Sequence, residues 1–214
     1  MKRVLVVGAG IHGLVTAAKE HLAKNQVYIV EKRSLIGGRG TSENSHGHQL
    51  EHGPHLLLKG GKLHKLLNKL SRVKLSLRPV NPNKVLIAGY GPVLPINSPK
   101  AMLKLKMGQD PVRDGAIKLL SGWGQEIPER EKALMKGKLC VVGEGWAGII
   151  GRLASTLEEV GVPIHTGIEV SETYDGGVIT VTGQKIQSEN VLFCTGKTTG
   201  TPVKVATLDV VLDN

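Results

Sequence analysis

Apolar residues along this chain fall into short runs that alternate with glycine-rich turns. Arg3-Val4-Leu5-Val6-Val7 is β-branched, continuous and ends abruptly at Gly8, the pattern of a strand buried on both faces of a parallel sheet. Leu14 to Lys24 is rich in Ala and Leu and predicts a helix, and Gln26 to Val30 predicts a second strand that ends in Glu31. Lys62 to Val73 places Leu63, Leu66, Leu67 and Leu70 at i, i+3, i+4 and i+7, with basic residues opposite, which predicts an amphipathic helix. Val73, Leu75 and Leu77 alternate with Lys74, Ser76 and Arg78, so residues 73 to 80 read as a strand. Asn81-Pro82-Asn83 reads as a turn and Lys84 to Tyr90 as the strand that returns from it.

Proline and glycine then accumulate through Pro99, and the pattern weakens. A short basic helix is expected over Lys100 to Met107, with weaker helical signals near Val112 to Leu120 and Pro128 to Met135. From Lys138 the pattern strengthens: Leu139 to Val142 predicts a strand, Ile149 to Val160 a helix, and Val162 to Gly167 another strand. Strands are expected over Gly167 to Ser171, Gly177 to Thr182, Lys185-Ile186 and from Asn190 onward, with turns at Asp175-Gly176-Gly177 and Thr182-Gly183. No internal repeat or low-complexity tract is visible. The alternation predicts an α/β class with a parallel, Rossmann-like sheet, a small β-rich return segment and a short α+β insertion.

The turn between the first strand and helix carries the chemistry. Gly8-Ala9-Gly10-Ile11-His12-Gly13 is G-x-G-x-x-G in its proper strand–turn–helix setting, with Glu31 at the end of the second strand. Gly8 suits the tight turn, Gly10 lets backbone approach a pyrophosphate, and Gly13 lets helix and strand pack closely. The helix N-terminus offers N–H groups and a positive dipole end. Glu31 can accept hydrogen bonds from ribose hydroxyls and would repel a 2′-phosphate. Past Lys32, Gly37-Gly38-Arg39 adds backbone that can come close to a ligand and a guanidinium suited to phosphate. His12 reads as a solvent-facing loop residue rather than a catalyst.

This extended fingerprint, together with Leu50-Glu51-His52-Gly53-Pro54-His55, resembles the FAD-dependent amine oxidase and phytoene desaturase superfamily, most closely its phytoene desaturase branch. The likeness is good over residues 1–58, moderate over 137–213 and poor between. It implies FAD as cofactor, held by Gly8, Gly10, Ile11, His12, Gly13, Glu31, Lys32, Gly37, Gly38, Arg39, Gly53, Pro54 and His55. Asn190-Val191-Leu192-Phe193-Cys194-Thr195-Gly196 resembles the family's later cofactor strand, with Cys194 in place of an alanine. The resemblance also implies that Val170 contacts the adenine through its backbone and that Thr195 and Gly196 pass close to the cofactor. The chain then divides into residues 1–58, the first part of an FAD-binding domain; 59–136, a basic insertion where a substrate or cap region would begin; and 137–214, the return. It stops at Asn214 where the family runs on into a second half, so an incomplete chain, or one completed by a second chain, is expected.

The implied activity is flavin-dependent oxidation or reduction of a lipophilic, isoprenoid- or carotenoid-like substrate, or of an amine, with hydride passing between a substrate carbon and flavin N5. In this family the flavin carries the redox chemistry, and the sequence names no catalytic acid, base or nucleophile. A plain NAD-binding module and an inactive nucleotide-binding subunit are the alternatives. Gly143-Glu144-Gly145-Trp146-Ala147-Gly148 is formally a second G-x-G-x-x-G. It could open a separate NAD(P) site, but no acid or arginine follows near the end of the next strand, and a structural turn is the favoured reading.

Composition adds charge. Of 214 residues, 40% are hydrophobic and 21% charged, ordinary for a globular protein, and the net charge is +10. Between Glu51 and Asp110 there is no acid, while Lys59, Lys62, Lys65, Lys69, Arg72, Lys74, Arg78, Lys84, Lys100, Lys104 and Lys106 are basic. Such a block implies an anionic partner, and an anionic membrane surface reached through residues 59–107 is expected if the helix is more than a solvated face. Nucleic acid is not expected, because only 3% of residues are aromatic and no binding motif is present.

Cys140 and Cys194 lie far apart in apolar runs and read as buried thiols, which excludes the flavin disulfide reductases with their close cysteine pair. His46, His48, His52 and His55 cluster, but Gly47 and Gly53-Pro54 interrupt them and no ligand spacing accompanies them, so no metal is expected. No apolar run reaches the ~18 residues of a membrane span, and the first strand leaves no room for a usual signal peptide. A cytoplasmic protein with peripheral membrane association is the expectation.

Overall fold

The computed structural model describes residues 1–45, 47–51, 56–70, 75–80, 86–87, 94–95 and 138–196. Its centre is a parallel sheet in the order β10-β2-β1-β14, formed by β1 (Arg3–Val7), β2 (Gln26–Glu31), β10 (Ile164–Thr166) and β14 (Asn190–Phe193). Val7 stands beside Val30 on one side and Phe193 on the other, so three strands end level with one another. This is the Rossmann-like arrangement that the early glycine turn implied.

The sheet is buried on both faces, which explains its uninterrupted apolar strands. Val4, Val6, Val27 and Ile29 face a core shared with α1 (Ile11–Leu22) and α3 (Gly145–Glu159). Helix α1 contributes Leu14, Ala17 and Ala18; α3 contributes Trp146, Ile149, Ile150, Leu153, Ala154 and Leu157, a stripe at helical spacing. Leu5, Val7 and Val30 face the other way, onto Val178 of an antiparallel meander, β11 (Val170–Tyr174), β12 (Gly177–Thr180) and β13 (Lys185–Gln187). Three layers result: helices, parallel sheet, meander.

The segment after the nucleotide motif folds against these layers. Antiparallel β3 (Ser42–Ser45) and β4 (His48–Glu51) pair with each other. Then β5 (Leu56–Leu58) and β6 (Leu77–Pro79) flank β9 (Leu139–Val142), and α2 (Lys62–Leu70) packs on β5 and α3. Leu57, Leu67, Leu75 and Val142 join the core under α1 and α3. Leu67 of α2 is buried and Leu63 packs on the same core, so the helix turns these leucines inward and presents Lys62, Lys65 and Lys69 to solvent.

One expectation needs correction and one favoured reading agrees with the fold. Among the described residues, the strand at 77–79 does not pair with its expected return: β6 pairs with β9, and β7 (Leu86–Ile87) pairs with β8 (Leu94–Pro95). The second glycine motif fits its favoured structural reading: the strand before it, β9, lies antiparallel between β5 and β6, outside the parallel sheet. The β9 pairs join distant residues through strands of three or four residues, too short for alternation to specify a partner. The strand after α3 does return to the parallel sheet, pairing Ile164, His165 and Thr166 with Ile29, Val30 and Glu31. The helices expected between residues 100 and 135 lie outside the described residues, as does the end of the helix expected to reach Val73.

Candidate functional site

Open α/β sheets place ligands beyond the carboxyl ends of their strands. Here β1, β2 and β14 end together, and the residues beyond them are Gly8, Glu31 and Cys194-Thr195. The glycines of the first turn have separate reasons. Gly8 has φ +106°, and an added Cβ would lie 2.9 Å from the Cys194 carbonyl oxygen. At Gly13 a Cβ would collide with the Gly8 carbonyl, so α1 can cross the strand end only at glycine. Gly10 differs: its Cβ would meet nothing nearer than the Gly37 carbonyl oxygen at 3.7 Å. The protein itself leaves room there, so Gly10 keeps open a cradle that a side chain would fill.

Helix α1 begins at this cradle. Gly10 is its N-cap without a side-chain cap, and no acidic residue stands in the first turn. The N–H groups of Ile11, His12 and Gly13 have no intrahelical acceptor by construction. The side chain of Ile11 is buried in the core, so only its backbone can serve a ligand. His12 is solvent-facing as expected, but on the first turn of α1 and not in the loop.

Glu31 is the most constrained charge of the site. Only 9% of its surface is exposed. The Ala9 N–H donates to Oε2 at 2.8 Å and the Arg33 N–H donates to Oε1 at 3.0 Å. Both neighbours escaped the sequence reading, which gave them no role; a backbone donor leaves no residue-specific signal. Charge-assisted bonds of this kind weld the glycine turn to the end of β2.

Gly37-Gly38-Arg39 comes back to the same place. Gly10 and Gly37 form a parallel bridge, and the Gly37 N–H donates to the Ala9 carbonyl at 2.9 Å. Gly37 sits at φ +114°, open to glycine and closed to most side chains. The following 3-10 turn, Gly38–Gly40, is tied by the Thr41 hydroxyl donating to the Gly38 carbonyl at 3.0 Å. Arg39 is exposed at its centre. Gly40, which the sequence reading passed over, packs on α3: a Cβ there would lie 2.5 Å from Ile150 Cδ1.

The other predicted residues divide. Thr195 follows Cys194, its backbone nitrogen 3.4 Å from where a Gly8 Cβ would be, and with Gly196 it is exposed. Val170 is half-buried against Leu5, Val7 and Val30, close to the strand ends because the Ile168 N–H donates to the Glu31 carbonyl at 2.9 Å. Lys32 makes an exposed ion pair with Glu169, 3.5 Å long. Gly53, Pro54 and His55 lie outside the described residues, as do His46 and His52.

The second glycine motif is occupied by the protein's own packing. A Cβ on Gly143 would lie 2.9 Å from Ser76 Oγ, and one on Gly148 would lie 2.9 Å from Glu144 Cβ. The Glu144 carboxylate stands at the N-terminus of α3 and pairs with Arg152, putting a negative charge where a phosphate would need to enter. Its glycines serve close packing.

Both cysteines are free. Cys140 is fully buried within β9, and burial raises its thiol above the ordinary range although Lys59 opposes the shift. Cys194 lies just past β14, half-buried, with Sγ 3.7 Å from Thr16 Oγ1; burial raises its thiol and that hydrogen bond opposes it.

Residues 6–70 match the model of the NAD(P)-binding Rossmann-like domain. A phytoene desaturase of Fusarium fujikuroi is 39% identical over 69 residues, 32% of this chain and 12% of that protein. Among solved structures, the PF1083 protein of Pyrococcus furiosus is similar with a TM-score of 0.64 and 25% identity, covering 89% of this chain and 58% of its own. A putrescine oxidase is similar in fold alone, with a TM-score of 0.57, 17% identity and 57% of its length covered. The chain thus matches only a small part of the desaturase and somewhat over half of the structural relatives. Its N-terminal segment is a Rossmann-like nucleotide-binding unit similar to that of phytoene desaturases, on a fold shared with amine oxidases such as putrescine oxidase.

Proposed function

We propose that this chain is the nucleotide-binding part of an FAD-dependent oxidoreductase that acts on a lipophilic, isoprenoid-like substrate. The observation that carries the reading is the meeting of Gly10 with Gly37, which joins the glycine turn at the α1 N-terminus to the Gly37-Gly38-Arg39 turn. The pyrophosphate would lie on Gly10 and the first N–H groups of α1, with Arg39 in reach of its charge. Glu31 would take the ribose hydroxyls with the acceptor capacity left over from Ala9 and Arg33. Val170 would border the adenine, and Thr195-Gly196 would lie along the opposite arm, toward the flavin ring. Gly53, Pro54 and His55 belong to the same proposal through family likeness.

A bound flavin supplies two-electron redox chemistry. What the chain itself contributes is binding, orientation and a fixed carboxylate. The isoprenoid substrate class rests on the likeness to phytoene desaturases, one of them 39% identical over 69 residues; amine oxidation is the next choice, on the fold shared with putrescine oxidase. The NAD-binding reading has the matched model's own description in its favour, and Gly37-Gly38-Arg39 against it. A nucleotide-binding subunit completed by a second chain is a further reading.

The test is anaerobic. The purified chain is reconstituted with FAD and mixed with a micellar C40 polyene, and the flavin absorbance is followed. Bleaching supports the oxidoreductase. Bound FAD that stays oxidised, with amines as well, favours the incomplete-subunit reading.

A further inference from the structure

Helix α2 carries a feature the nucleotide site does not use. Lys62, Lys65 and Lys69 recur at i, i+3 and i+7, which puts them in one row, and all three are exposed. The turn before the helix adds Lys59, whose backbone N–H donates to the Lys138 carbonyl at 2.7 Å, so the exposed lysines at 59 and 138 stand together at the head of the row. None of the five has an acidic partner among the described residues. The first turn of α2 has no acid either, so Lys59 and Lys62 face the end of the helix dipole that disfavours cations. The row therefore holds like charges together with no compensating acid among the described residues.

We infer that Lys59, Lys62, Lys65, Lys69 and Lys138 form a docking surface for an anionic lipid bilayer. This stands apart from the nucleotide reading. The row spans about 10 Å along the helix, at 1.5 Å per residue, and lies on an outward face. Leu63 and Leu67 belong to the core, so the helix meets the bilayer with its ammonium groups and does not insert its apolar face. Such contact is purely electrostatic and fades with salt. A single-stranded polynucleotide would want aromatic stacking and a specific duplex site arginine forks, and the row offers point charges only.

The experiment uses the whole chain with sedimented vesicles of phosphatidylcholine, alone or mixed with phosphatidylserine, at low and high salt. Binding to the mixed vesicles alone, lost at high salt, is expected. Each lysine near an anionic surface is worth about fivefold in partitioning, so the combined Lys62→Gln, Lys65→Gln, Lys69→Gln variant should bind on the order of a hundredfold more weakly. A control variant, Lys2→Gln, Lys19→Gln, Lys185→Gln, should bind within a few fold of the parent if the row matters and not the net charge. Circular dichroism checks that both stay folded. No binding, equal binding to both lipids, equal loss in both variants, or displacement from vesicles by short duplex DNA at lower charge concentration would each overturn the assignment.

Discussion

The carboxylate of Glu31 accepts the Ala9 N–H at 2.8 Å, so the acid at the end of β2 and the glycine turn after β1 form one rigid piece. Glu31→Gln replaces one acceptor oxygen by a donor that must face a backbone N–H. A hydrogen bond to a charged group is worth about 1.5–3 kcal/mol, and losing one of the two should lower stability by an amount in that range. Denaturant unfolding of the nucleotide-free chain measures this, and nucleotide affinity should fall in the same variant. An unchanged unfolding midpoint would mean that the Ala9 and Arg33 contacts hold nothing together.

Gly10 and Gly13 should separate binding from folding. Gly13→Ala drives a methyl into the Gly8 carbonyl and should unfold or severely destabilise the chain. Gly10→Ala meets only ordinary contacts, the nearest at 3.7 Å. It should cost less than about 1 kcal/mol, roughly 2–4 °C in melting temperature for a chain of this size, yet abolish nucleotide binding. Thermal melts paired with ligand titration of the two variants decide it.

Gly40 and Ile150 should be coupled. Gly40→Ala crowds Ile150 Cδ1 at 2.5 Å and should destabilise by about 1–3 kcal/mol through overpacking. Ile150→Val removes that methyl and should make the alanine cheaper in the double variant than in the parent. A double-mutant cycle reads the interaction, and additivity within about 0.5 kcal/mol would contradict the packing.

His64 should make α2 sensitive to acid. The Gly60 N–H donates to Nδ1 at 3.0 Å, which requires an unprotonated nitrogen, and burial followed by Lys59 holds the imidazole below its ordinary value of 6.5. The depressed group contributes stability that is present above pH 6.5 and lost as pH falls through the lower folded value. His64→Gln should therefore flatten the loss of stability below pH 6.5 relative to the parent. Parallel unfolding curves for both proteins across that range would refute the effect.

The nucleotide half was legible because its signals are local. Strand, glycine turn, helix and acid follow one another within residues 3–31, and each glycine has a steric reason readable from the motif. What the sequence concealed is non-local. The pairing of β9 with β5 and β6 joins residues some 60 to 85 positions apart and rests on a shared core, not on any turn signal. The role of Gly40 depends on Ile150, and the packing role of the second glycine motif depends on Ser76 and Arg152. The amphipathic pattern of α2 was visible, but only the fold reveals that Leu63 and Leu67 cover the core and are not free for a bilayer.

The most direct test of the nucleotide reading is a side-by-side titration of the purified chain with FAD and with NAD, followed by flavin fluorescence and calorimetry. The arrangement of Gly10, Glu31, Gly37 and Arg39 predicts that FAD binds with one-to-one stoichiometry and at least about tenfold more tightly than NAD, a gap of some 1.4 kcal/mol. It also predicts that Arg39→Ala weakens FAD more than it weakens NAD, because the Gly-Gly-Arg extension is what sets the two apart. NAD binding with no measurable affinity for FAD, unaltered by Arg39→Ala, would contradict it.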